Sequence, residues 1–136
     1  MAKAIGIDYG EKRVGIAITD SLQMIASALT TIDTPNIFTF LKDLIEKEEI
    51  DCFVVGEPKN LDGSSTDSTE MTEKFVEKLS KKTPQIPIER IDERFTSKIA
   101  KQSILDAGIK KMKRRDKSLI DKVSAAIILQ SYLDAR

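Results

Sequence analysis

The chain contains no histidine. That excludes Ser-His-Asp and Cys-His catalysis and most zinc sites, all of which draw on imidazole. It has one cysteine, Cys52, which cannot close an internal disulfide. Cys52 sits in the apolar run Cys52-Phe53-Val54-Val55, where a small buried hydrophobe fits. Tryptophan is absent and aromatics make up 5% of the residues, so base stacking and single-strand sequence readout are expected to be minor. No apolar run approaches the roughly 20 residues of a membrane span. Met1-Ala2-Lys3 leads straight into a strand pattern without the layout of a signal peptide, and the expected location is cytoplasmic. Any catalysis falls to carboxylates, Lys, Arg, Tyr or hydroxyls. A carboxylate cluster favours hard cations such as Mg²⁺ or Mn²⁺.

What is present points to one domain over residues 1–136, with 40% apolar and 32% charged residues. The net charge is zero, but the charges are unevenly spread. Asn36 to Ser80 carries 11 acidic and 5 basic residues, whereas Arg90 to Lys122 carries 11 basic and 5 acidic. The basic third suits an acidic partner, although two solvated surfaces would explain the same split.

Alternating apolar runs on either side of Tyr9-Gly10-Glu11-Lys12 predict a β-hairpin, with Asp8 at the end of its first strand. Met24 to Ile32 can supply a third strand. Asn36 to Glu48 reads as a helix with Ile37, Phe40, Leu41, Leu44 and Ile45 on one face. Cys52 to Val55 has the continuous apolar character of a central strand. A polar loop, Lys59 to Ser65, leads to a helix from about Ser68 to Lys81 with Met71, Phe75, Val76 and Leu79 as its stripe. Ile88 to Ile91 gives another strand. Thr96 or Ser97 can cap a helix that Gly108 ends, and the basic loop Lys110 to Lys117 precedes a last helix, Ser118 to Leu133. The order predicts an α/β fold, a mixed sheet with helices on both faces. Ligands of such sheets sit beyond the carboxyl ends of the central strands, which selects Asp8, Gly56-Glu57-Pro58 and Asp92-Glu93.

Side-chain alternation puts Ala4, Gly6 and Asp8 on one face of the first strand, and Gly15, Ala17 and Thr19 on one face of the second. If those faces coincide they form a bed without large side chains, fit for a closely packed helix. The last helix, with Ser124, Ala125 and Ala126, is the natural occupant. It is apolar on nearly all sides except at Asp121, which shares a stripe with Ala125, Ile128 and Tyr132. A carboxylate there costs several kcal/mol unless it is paired or metal-bound. Two readings stand: a metal ligand, or a charge at a helix N-terminus bridged to Lys117 or Lys122. Asp92 and Glu93 divide in the same way between turn chemistry and a place beside Asp8. Three carboxylates around one pocket repel and need cations, and two Mg²⁺ about 4 Å apart would activate a water on a phosphodiester.

Taken together, four segments resemble the YqgF or RuvX family, described as pre-16S rRNA nucleases and formerly as Holliday junction resolvases. They are Gly6-Ile7-Asp8-Tyr9-Gly10 with Arg13 and Gly15; Val54 to Pro58 with Asn60-Leu61-Asp62-Gly63; Asp92 to Ser97; and Asp121 to Ala126 with Ile128 to Leu133. The resemblance implies an RNase H-like fold and a nuclease that matures the 5′ end of 16S ribosomal RNA with Mg²⁺ or Mn²⁺. It carries the acidic site onto Asp8, Glu93 and Asp121, with Asp92 as a fourth candidate. Glu57 departs from the family, which usually has an apolar residue there; an extra carboxylate at that point could bind metal or face solvent, and solvent is expected.

Arg13 and Arg94 are candidate phosphate contacts, because a guanidinium can hold phosphate by two hydrogen bonds. Lys113, Arg114 and Arg115 lie in the basic loop, which would grip a nucleic-acid backbone without reading sequence. Three other readings carry the same residues. One is a DNA junction resolvase working as a homodimer, and another is a non-catalytic assembly factor for the ribosome. The third, an ATPase of the actin and sugar-kinase class, needs two domains around its nucleotide.

Overall fold

A computed structural model describes residues 2–58, 67–92 and 117–135. In chain order its elements are β1 (Lys3–Tyr9), β2 (Arg13–Thr19), β3 (Ala26–Asp33), a 3₁₀ turn (Thr34–Asn36), α1 (Ile37–Lys47), β4 (Ile50–Glu57), α2 (Asp67–Lys82), β5 (Ile88–Asp92) and α3 (Lys117–Ala135). The five strands form one sheet in the order β3-β2-β1-β4-β5. β1 pairs antiparallel with β2, and β2 with β3. β1 pairs parallel with β4, and β4 with β5. The carboxyl ends of the three parallel strands therefore share one edge, where the expected mixed α/β sheet places its ligands.

Alternation along the strands divides the core in two. Ile5, Ile7, Val14, Ile16, Phe53 and Val55 face α1 and α2 and pack on Ile37, Leu41, Phe75 and Leu79. Ala4, Ala17, Cys52 and Val54 face α3 and pack on Ala125, Ile128 and Leu129. The central strand β4 is buried from Cys52 to Gly56, as its continuous apolar run requires. β4 extends to Glu57 because β5 keeps pairing with it up to Glu57 opposite Asp92.

The third strand begins at Ala26 instead of Met24, and the Asp20 carboxylate explains the difference. It accepts the backbone N–H of Met24 and of Ile25, each at 2.9 Å, and of Leu22 at 3.3 Å. Gln23 enters the left-handed region at φ 52°, closing the turn. Those donors favour the charged carboxylate and hold Asp20 below its ordinary pKa. At the other end of β3, the Thr34 hydroxyl donates to the Gly10 carbonyl at 2.8 Å, tying the tip of the β1–β2 hairpin to the start of the 3₁₀ turn.

Candidate metal centre

Asp8 ends the face of β1 that begins with Ala4 and Gly6, and it stands directly opposite Gly15 on β2. Directly paired residues in an antiparallel ladder lie about 4.5–5.5 Å apart at Cα. A Cβ on Gly15 would come within 1.9 Å of the Asp121 carbonyl oxygen. A Cβ on Gly6 would come within 2.7 Å of both the Ala125 carbonyl oxygen and Leu129 Cβ. The backbone of α3 thus rests on the strands, and only glycine admits it at these two points. The stripe of Ala125, Ile128 and Tyr132 faces the sheet, with Ala125 and Ile128 fully buried. Asp121, in line with that stripe, is seated on the cross-strand neighbour of Asp8. Residues 113 apart in sequence are brought to one place by two small-residue strands and a helix pressed onto them.

Among the described residues the partner of Asp121 is not Lys122, and the side chain of Lys117 lies outside them. Arg13 Nε donates to Asp121 Oδ2 at 2.9 Å, across 108 residues of sequence. The side chains are 33% and 25% exposed, so the pair is only partly shielded from water. Among the described residues, Asp121 Oδ1 accepts no hydrogen bond and neither Nη group of Arg13 donates one. The strand pattern carries the face of this contact but not its partner. Arg13 has the same parity as Gly15 on β2, so it lies on the face that α3 covers.

The second pair of acids at this edge belongs to the other face. Tyr9 stacks on Phe75 of α2, with ring centroids 4.4 Å apart, and burial pushes its phenol pKa up. On β5, Ile91 packs on the α3 side and Ile88 on the α2 side. Alternation then gives Asp92, and Glu57 opposite it, to the α2 side. Arg90 has the same parity. It donates to the Val55 carbonyl at 3.2 Å and pairs with Glu73 of α2 at 2.8 Å. Both Glu57 and Asp92 are half-buried and partnered.

Glu93, Arg94, Lys113, Arg114 and Arg115 lie outside the described residues, as do the loop from Lys59 to Ser65 and the helix expected between Thr96 and Gly108. Among the described residues no three His, Cys, Asp or Glu side chains form a group able to hold a metal ion. Asp8 and Asp121 supply two carboxylates, hard oxygen donors of the kind Mg²⁺ and Mn²⁺ prefer, and one Asp121 oxygen carries no protein hydrogen bond among those residues. The donor set fits a divalent ion that takes a further ligand from elsewhere. A groove of about 480 Å³ lined by Phe38, Leu41, Ile45, Leu79, Lys82 and Thr83 lies between α1 and α2. Its residues lead into the amino ends of β4 and β5, away from the carboxylates. No helix among the described residues is long and apolar enough to cross a membrane.

The five-stranded mixed sheet with helices on both faces is an RNase H-like fold. Among solved structures it is similar to T. thermophilus RuvC in complex with a Holliday junction substrate. That match has a TM-score of 0.60 and 14% identity, and it covers 100% of this chain and 96% of the other. The model of the RuvX family, described as Holliday junction resolvase, matches residues 2–135, and the chain belongs to that family. A relative from Christiangramia forsetii is 50% identical over 133 residues, 98% of each chain. One from Porphyromonas gingivalis is 48% identical over 134 residues, 98% of this chain and 97% of its own. One from Phocaeicola vulgatus is 46% identical over 136 residues, 100% of this chain and 98% of its own. Each of these relatives bears the name "Putative pre-16S rRNA nuclease".

Proposed function

We propose that the chain acts as a single nuclease domain that hydrolyses phosphodiester bonds of pre-16S rRNA with a divalent cation, Mg²⁺ or Mn²⁺. The observation that carries this reading is the seating of Asp121 on Gly15, the cross-strand partner of Asp8. The sheet spends its smallest residues to bring those two acids together at the edge where ligands bind. Asp8 and Asp121 hold the cation, and Glu93, two residues after Ile91, completes the set. When bound, the cation supplies Lewis-acid stabilisation of charge on the reacting phosphate and lowers the pKa of a water. Arg13 and Arg94 hold phosphate oxygens. Lys113, Arg114 and Arg115 hold the backbone of the RNA farther out by charge alone.

A second reading, cleavage of four-way DNA junctions, is favoured by the family's description and by the likeness to a junction-bound RuvC. The names of the relatives favour RNA. One assay separates the two: cleavage of pre-16S rRNA and of a four-way DNA junction in Mg²⁺ by the wild type and by Asp8→Asn. We expect the wild type to cut the RNA and Asp8→Asn to lose at least about 10³-fold in rate, as when several kcal/mol of transition-state stabilisation are removed, with an unchanged melting temperature. Cleavage of the junction alone would establish the second reading. Undiminished cleavage by Asp8→Asn would remove Asp8 from the chemistry.

A further inference from the structure

We propose that Arg13 is a placeholder cation for Asp121. It holds the carboxylate while no divalent ion is bound there, and it turns its guanidinium to a substrate phosphate once one is. This rests on the reading that Asp8 and Asp121 share a divalent cation.

Three observations lead to it. First, Asp121 is the fixed member of the pair. Its backbone carbonyl is pressed onto Gly15 so tightly that a single Cβ would overlap it, so α3 cannot carry the carboxylate away. Arg13 opens β2 beside the hairpin turn, on a long side chain that is one-third exposed, so Arg13 is the member free to move. Second, the contact uses Nε, while the two Nη groups donate to no other described residue. A guanidinium held in this way keeps available the fork that fits a phosphate. Third, the charges compete. Asp121 is seated on Gly15, the cross-strand partner of Asp8, and Arg13 is the positive partner it has among the described residues. A divalent ion at the same carboxylate repels the guanidinium a few ångströms away. Arg13 therefore opposes metal binding in the free protein. A residue that only oriented Asp121 would assist it, because outer partners of metal ligands typically raise affinity. The two roles have opposite signs.

The test is Mn²⁺ affinity of the full chain without nucleic acid, read from the electron paramagnetic resonance of free Mn²⁺. Arg13→Gln is expected to bind Mn²⁺ about three- to tenfold more tightly than the wild type, the range set by one partly screened charge. Arg13→Lys, which keeps the charge, is expected to stay within about twofold. Equal or weaker binding by Arg13→Gln overturns the placeholder. A second measurement needs no substitution: the Arg13 Nε–H resonance of the wild type is expected to shift as Mg²⁺ is added, and a resonance that does not move at saturation overturns the proposal. Asp8→Asn and Asp121→Asn separate this outcome from failure of the metal-site reading. If both bind Mn²⁺ as the wild type does, the site itself is wrong. If both lose binding while Arg13→Gln gains none, only the placeholder fails.

Discussion

Ile5, Ile7, Val14, Ile16, Phe53 and Val55 cover the face of the sheet under α1 and α2, while Ala4, Gly6, Gly15, Ala17, Cys52 and Val54 cover the face under α3. The same strands build both by alternation, and the two faces do different work. Large side chains interdigitate with two amphipathic helices and bury most of the apolar surface that holds the fold. Small ones contribute less burial and instead let the backbone of α3 touch the strands. That contact fixes Asp121 relative to Asp8 more closely than a layer of long side chains could. The larger core cluster lies on one side of the sheet, and the close helix–strand contact that positions Asp121 lies on the other.

Substitutions on the two faces test whether their roles are separable. Phe53 is fully buried in the large face, and Phe53→Ala is expected to cost about 3–5 kcal/mol of unfolding free energy in a denaturant titration. Its effect on the cleavage rate of the folded fraction should be small, within about threefold. Gly15→Ala on the small face is expected to cost less stability, about 1–3 kcal/mol from overpacking, because one methyl group must push α3 outward. Its effect on rate should be larger, on the order of 10²-fold, since a displacement near 1 Å is enough for that. A Phe53→Ala protein that folds but has lost its rate as Gly15→Ala has would show that the faces are not separable.

Much of this was legible in the sequence, for a physical reason. Period-two patterns expose both faces of a strand at once, so the small bed of Ala4, Gly6, Gly15 and Ala17 could be read before its occupant was known. The near-uniform apolarity of the last helix then named the occupant, and Asp121 stood out as the odd polar residue on its sheet-facing stripe. Partnerships across the sheet were harder to read. Arg13 could be assigned to a phosphate or to a local acid, but its pairing with Asp121 depends on how far along β2 the helix crosses, and Gly15 sets that crossing only in three dimensions. Glu57 and Asp92 looked like members of the edge cluster because they are close to Asp8 in the topology. The β4–β5 register turns them to the opposite side. The turn before β3 was hidden for a similar reason. Met24 and Ile25 read as strand from their apolarity, yet Asp20 takes their N–H groups out of the ladder.

On the proposed function, Asp8 and Asp121 jointly bind a divalent cation at the carboxyl edge of β1. Anomalous scattering from Mn²⁺ in crystals of the full chain tests it directly. A peak is expected within about 2.5 Å of a carboxylate oxygen of each residue, at ordinary coordination distance for a hard cation. Mn²⁺ bound elsewhere, with both carboxylates left bare at saturating ion, would contradict it.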